Sequence, residues 1–193
     1  GLLMQPPVTA IYDANILYPA PLRDLFIRLA QAGLVRAKWT ETIHNEWLRN
    51  VLKDNPQLSP DRLARTRNLM NEAVRDCLVA GYEDLIDSLT LPDPDDRHVL
   101  AAAIRAGAEV IVTCNLADFP GEILAGYDIE ALHPDDFLVG LLDHAPGTVC
   151  AAVKRQRESL RNPPKTVEEL FTTLESQGLT QAVAQLRQFA DIL

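Results

Sequence analysis

The 193-residue sequence is short of everything that builds a disulfide scaffold, a membrane span or a triphosphate-binding loop. Its three cysteines, Cys77, Cys114 and Cys150, are widely spaced and form no Cys-x-x-Cys pair. That excludes a disulfide framework and a structural zinc site, and leaves reduced thiols. Cys114 reads as a small buried residue. No apolar run approaches the roughly 20 residues that a membrane span needs. The opening Gly1-Leu-Leu-Met4 lacks the basic stretch and apolar core of a secretion signal. A cytoplasmic protein without membrane association is the expectation. Neither Gly-x-x-x-x-Gly-Lys nor Gly-x-Gly-x-x-Gly occurs, which argues against nucleotide-dependent chemistry. Positive charge is also scarce: 18 Lys and Arg stand against 27 Asp and Glu, for a formal charge of -9 and a pI near 4.9. Such a chain does not coat nucleic acid by bulk attraction. An enzyme acting on nucleic acid is not excluded, because carboxylates that hold divalent cations make a metal-free protein acidic.

Hydrophobic residues make up 47% and charged residues 23%, ordinary values for a chain that buries a core. Val8-Thr-Ala-Ile-Tyr12 is an apolar, partly β-branched run that reads as a buried strand ending at Asp13. Residues 22–32 place Leu22, Leu25, Phe26 and Leu29 on one helical face, with Gly33 as the stop. Residues 35–39 form a second short strand. Thr40 caps a helix running to about Lys53, and Ser59-Pro60 opens another that continues to about Cys77. An edge segment is expected near residues 85–89. Asp96 opens a small-residue helix to Ala106, Val110-Ile-Val-Thr113 is a central strand, and residues 129–132 are a last strand before a helix from Pro134 to Leu142. Strands separated by helices predict an α/β fold with a mainly parallel sheet and helices on both faces. From Ala145 onward strand signals vanish and three helical stretches follow. The expected organisation is therefore residues 4–144 as the α/β domain and residues 145–193 as a helical extension, the latter too small for a core of its own.

In an open parallel sheet, ligands gather beyond the carboxyl ends of the strands, near a switch in strand order. Asp13 and Asn15 follow the first strand, and Asn115 and Asp118 follow the Val110 strand. Glu46, in the first turns of its helix, and Asp96, at the start of another, border the same crevice. Singly, these are turn formers, exposed helix residues or first-turn acids that suit a helix dipole. Together they supply the oxygen ligands that a hard divalent ion prefers. Without a cation, such carboxylates repel one another or protonate.

The order of strand with Asp13-Ala-Asn15, helix with Glu46, Asp96-Arg-His-Val-Leu-Ala-Ala-Ala103 and Val112-Thr-Cys-Asn-Leu-Ala-Asp-Phe119 resembles the PIN-domain family, VapC-type toxins among it. The resemblance spans about three-quarters of the chain. It implies a three-layer α/β/α fold, a Mg²⁺ or Mn²⁺ site and endonucleolytic cleavage of RNA. It also implies a cognate antitoxin as partner and pairing into homodimers. Carried over by position, Asp13, Glu46 and Asp96 match the three core acids, and Asn115 stands where many members have a fourth. That departure removes one anionic ligand. Asp118 is a substitute for the lost charge, and Asn15 and Thr113 are candidates for orienting ligands or the attacking water. Asn115 also keeps open a degenerate PIN module that binds RNA or protein without catalysis. Asp13-x-Asn15 further suggests a haloacid-dehalogenase-like phosphohydrolase, although Ile16 and Leu17 follow where that family has Thr or Ser.

Arg62, Arg65 and Arg67, or Arg155, Arg157 and Arg161, are candidates for steering an RNA backbone. Trp39 and Trp47 read first as core and second as base-stacking groups. His44 and His98 flank the acids but are not expected to be ligands, since hard metals favour oxygen.

Overall fold

The computed structural model describes residues 4–193; the opening residues 1–3, on which the reading of the N-terminus rests, lie outside them. Four strands form one sheet: β1 (Val8–Tyr12), β2 (Val35–Lys38), β3 (Val110–Val112) and β4 (Glu130–Leu132). Their order is β2-β1-β3-β4, and every pairing is parallel. β1 is apolar at nearly every position because both its faces are covered. β2 alternates buried and exposed residues, as an edge strand with one wet face does.

The chain leaves β1 for β2 through α1 (Ala14–Leu17) and α2 (Ala20–Gln31). It returns across β1 to β3 through α3 (Glu41–Asp54), α4 (Pro60–Ala73) and α5 (Arg97–Ala106). Right-handed crossovers running in opposite directions put α2 and α5 on opposite faces of the sheet, giving the three-layer α/β/α arrangement. The reversal falls between β1 and β3, so the carboxyl ends of these two strands open onto a crevice. α6 (Gly121–Leu124) then leads to β4, followed by α7 (Pro134–His144), α8 (Pro146–Ser159), α9 (Val167–Ser176) and α10 (Thr180–Leu186).

Local signals account for most boundaries. Thr40 and Ser59 accept from the backbone N–H groups of Ile43 and Arg62 and so cap α3 and α4. Gly33 and Gly107 take the left-handed backbone that ends α2 and α5. Two expectations fail. Residues 83–88 form a 3-10 turn rather than an edge strand, because Leu85 and Ile86 sit partly buried beside α5. α4 stops at Ala73, short of Cys77. Val74 turns extended and Asp76 adopts φ 54°, which lets Cys77 and Val79 pair with Trp39 and prolong the β2 edge.

The C-terminal helices share the core of the sheet domain. Phe26 of α2 stacks on Phe137 of α7, with ring centroids 6.1 Å apart. Gln156 of α8 donates to the Pro21 carbonyl at 2.9 Å. The buried Asp135 carboxylate accepts from the backbone N–H groups of Gln181 and Ala182 and holds α10 against α7. Val149, Val153, Phe171, Leu174, Val183 and Leu186 are buried in the same cluster as β1. Among the described residues no helix is long and apolar enough to cross a membrane.

Candidate active site

Register decides where the acids lie. Tyr12 pairs with Val112, so Asp13 and Thr113 leave the sheet side by side, and the Asp13 N–H donates to the Val112 carbonyl at 3.1 Å. Asp13 is 6% exposed and its carboxylate is almost fully engaged. Oδ1 accepts from the Ala14 N–H at 2.8 Å. Oδ2 accepts from the Thr113 hydroxyl at 2.9 Å and from Asn15 Nδ2 at 3.2 Å. Asn15 Oδ1 in turn accepts from the Cys114 N–H, and Thr113 Oγ1 accepts from the Asn115 N–H. Asn15 and Thr113 thus hold Asp13 and fasten the β3 loop to α1. Burial pushes the Asp13 carboxyl above its usual pKa, while the Thr113 hydroxyl and the Ala14 N–H oppose that rise.

Asp13, Asn15, Glu46, Asp96 and Asn115 line one cavity of about 340 Å³, whose walls are more polar than apolar. Glu46 reaches it from α3 and Asp96 from the turn that opens α5. Asp96 does not cap its helix with its side chain. Its Oδ2 is buried without any hydrogen-bond partner. Burial, followed by the charges of Asp118, Asp13, Asp93 and Glu46, lifts its pKa from 3.8 to about 6. Asp118 acts on Asp96 through its charge but does not line the cavity. Carboxylates held against their own repulsion, one with an orphaned buried oxygen, suit a hard cation that takes oxygen ligands. As the side chains stand, no three acidic, His or Cys groups among the described residues are close enough together to hold an ion. Glu46 is turned aside toward His98. The His98 Nε2 abuts Glu46 Oε1, off the direction that a hydrogen bond needs, and Nδ1 is buried with no partner.

The remaining candidates separate cleanly. Trp39 and Trp47 are fully buried and cannot stack on a base. His44 is a buried core residue: its Nδ1 accepts from the Trp47 indole, and its Nε2 meets Asn71 Oδ1, which also accepts from the Trp39 indole. Cys114 is exposed, not buried, because the chain leaves the sheet immediately after Thr113. Arg62 and Arg65 are exposed on α4, whereas Arg157 is tied to the Leu193 carbonyl at 2.6 Å. The cavity also contains Tyr18, Asn50 and Asp54, which the sequence reading did not single out. For Asn50 and Asp54 the signal was present: with Glu46 they recur every four residues on one face of α3. A larger hollow of about 640 Å³, between α2, α4 and the C-terminal helices, shares no residue with the acidic one.

The PIN domain family matches residues 9–117, more than half of the chain, and the VapC50 C-terminal domain family matches residues 134–188. The chain belongs to the PIN-domain family. The second match begins at α7, so that family unit includes a helix of the sheet domain as well as the helices after it. A "Putative ribonuclease VapC50" of Mycobacterium tuberculosis (strain H37Rv) is 44% identical over 108 residues, covering 56% of this chain and 63% of the relative. The similarity therefore spans less than two thirds of that relative's length. No solved structure matches the chain. In this PIN domain the Asp13, Glu46 and Asp96 positions all border the switch-point cavity.

Proposed function

We propose that this chain is an endoribonuclease of the VapC toxin kind, dependent on Mg²⁺ or Mn²⁺ held by Asp13, Glu46 and Asp96. Membership of the PIN-domain family and the ribonuclease name of a 44% identical relative support the reaction class. The observation that carries the site assignment is the meeting of three acids from separate segments in one switch-point cavity, with a buried Asp96 oxygen that lacks a partner.

A bound divalent ion would supply Lewis acidity that activates water and stabilises charge on the phosphate. The chain's own part is positional. Ala14, Asn15 and Thr113 fix the Asp13 carboxylate before any ligand arrives, so little reorganisation accompanies binding. Glu46 borders the same cavity from α3 and would hold the cation with Asp13 and Asp96 once turned from its contact with His98. Asp96 Oδ2 is the atom free to take a ligand position, with Asp118 supplying nearby negative charge and Asn115 a neutral wall. In the reaction the water oxygen bonds to phosphorus and one of its protons passes to a carboxylate of the cluster. The phosphorus–O3′ bond breaks, and the departing O3′ takes up a proton.

Hydrolysis of this kind leaves 5′-phosphate and 3′-hydroxyl ends. A mixed RNA pool incubated with either metal tests it: ligation-based capture of the fragment ends should find 5′-phosphates, and EDTA should abolish them. Fragments with 2′,3′-cyclic phosphate ends would reject the mechanism, since they require the RNA's own 2′-hydroxyl as nucleophile. Absence of cleavage with either metal would favour the reading in which Asn115 marks a binding module.

In the same reading a cognate antitoxin protein binds the chain and screens the acidic cavity, and two copies pair in a homodimer. Co-expression with the protein encoded beside it, followed by size-exclusion chromatography with light scattering, reports both masses.

A further inference from the structure

The acidic cavity does not end at the three acids. It continues along α3, where Asn50 and Asp54 follow Glu46 on the same face. At the α-helical rise they lie about 6 Å and about 12 Å further along the axis. Tyr18 closes this end, its hydroxyl donating to Asp54 Oδ2 at 2.5 Å. The Tyr18 backbone is itself pinned. Its N–H donates to the Ala14 carbonyl, its carbonyl accepts from Arg23, and the Arg23 guanidinium lies over the buried Trp47 ring, 4.8 Å from its centroid. The result is a fixed half-exposed aromatic ring, an amide and an oriented carboxylate next to the place where the scissile phosphate would sit.

A carboxylate at that end repels phosphate, so the backbone of a bound strand does not occupy it. What fits is a nucleobase. Unpaired bases are recognised by stacking on aromatic rings and by hydrogen bonds to their Watson–Crick edges. A carboxylate accepts two parallel N–H bonds, and guanine alone among the four bases offers two adjacent N–H donors, at N1 and N2, on that edge. Tyr18 occupies one lone pair of Oδ2 and holds the carboxylate still, leaving Oδ1 and the rest of Oδ2 for the base.

We propose that Tyr18, Asn50 and Asp54 form a base-reading subsite that selects guanine in the nucleotide adjacent to the cleaved bond. This rests on the proposal that RNA is the substrate, but its test does not require turnover. Full-length protein carrying Asp96→Asn is titrated with fluorescent UUGUU, UUAUU, UUCUU and UUUUU at one fixed salt concentration. The expected result is about tenfold tighter binding of UUGUU than of UUUUU, the effect of one good bidentate contact. Adding Asp54→Asn should shrink that gap to about threefold or less, whatever the uniform gain in affinity for all four RNAs from removing one negative charge. Tyr18→Phe should keep the affinity for UUUUU and weaken only the guanine preference, whereas Tyr18→Leu should weaken all four, as loss of a stacking platform does. Because Asp54 is exposed and Phe keeps the ring, neither change threatens folding. Equal binding of the four RNAs, a preference that survives Asp54→Asn, or no binding at all would overturn the subsite. A guanine preference without cleavage by the wild type would uphold the subsite while removing the hydrolytic function. Cleavage without any preference would do the reverse.

Discussion

Replacing Asp96 by asparagine should remove metal-supported function and at the same time make the protein more stable. The folded state holds this carboxyl at a pKa of about 6 against 3.8, through burial and then the charges of Asp118, Asp13, Asp93 and Glu46. A group that binds its proton more tightly when folded costs stability once the proton is lost. Between pH ~4 and ~6 the folded state therefore loses stability as pH rises, and above ~6 the whole cost is present. A shift of about two units corresponds to about 3 kcal/mol at most. Asp96 is only partly buried, and solvent screening reduces the figure to roughly 1 kcal/mol. Asparagine has the same shape and no charge, so Asp96→Asn should raise the melting temperature by about 2–4 °C at pH 7.5 in EDTA. The gain should vanish below pH ~4, where both states of the wild type are protonated. Adding Mn²⁺ reverses the ranking: the wild type gains about 1.4 kcal/mol at ten times its dissociation constant, and the variant gains nothing. Urea unfolding with and without metal measures both effects. If Asp96→Asn is instead less stable by 1 kcal/mol or more in EDTA at pH 7.5, the carboxylate is a structural group and the electrostatic reasoning fails.

Other residues lead to further expectations. Without metal, Asp96 takes up a proton as pH falls through about 6. Protons then compete with the cation, so the Mn²⁺ concentration that half-activates cleavage should rise below that pH; a half-activating concentration unchanged from pH 7.5 to 5 would contradict that. Thr113→Val removes a fully buried hydroxyl that serves Asp13, Asn15 and the Asn115 N–H, and should cost about 1–3 kcal/mol in chemical unfolding and more than tenfold in cleavage rate. Asn71→Ala orphans the Trp39 indole and His44 and should cost about 2–3 kcal/mol, with loss below 0.5 kcal/mol showing that the network is dispensable. Truncation after Ala145 uncovers α2 and α7. With about 1.5–3 kcal/mol lost for each large buried side chain, the fragment should show no cooperative melt; a sharp transition would make residues 4–144 an independent unit.

Much of this architecture is legible in the sequence because its signals are local. The five-residue run from Val8, the caps Thr40 and Ser59, and the glycines after α2 and α5 declare their elements without tertiary context. Alternation of strands and helices declares a parallel sheet, but the β1–β3 pairing that places Asp13 beside Thr113 comes from the fold. The errors arise where distant partners decide. Residues 85–89 have apolar spacing that suits either an edge strand or a tight turn, and packing beside α5 selects the turn. Val74 to Leu78 gives up helix because Leu78 bridges to Trp39, nearly forty residues earlier in the sequence, a partner that no local motif announces. His44 is a core histidine only because Asn71 lies across from it on α4. Within the cavity, Asn50 and Asp54 were readable from their four-residue spacing after Glu46. Tyr18 was not, because only the α1 turn and Arg23 carry its ring to the end of α3.

The central claim is that Asp13, Glu46 and Asp96 act together on RNA through one divalent cation site. Its most direct test is a Mn²⁺ titration of cleavage rate for the wild type and for Asp13→Asn, Glu46→Gln and Asp96→Asn, each shown to be folded by its unfolding transition. The account predicts saturable metal activation of the wild type and loss of cleavage by at least 100-fold, about 2.7 kcal/mol in barrier, in all three variants. Metal-independent cleavage, or full activity in any one of the folded variants, would contradict it.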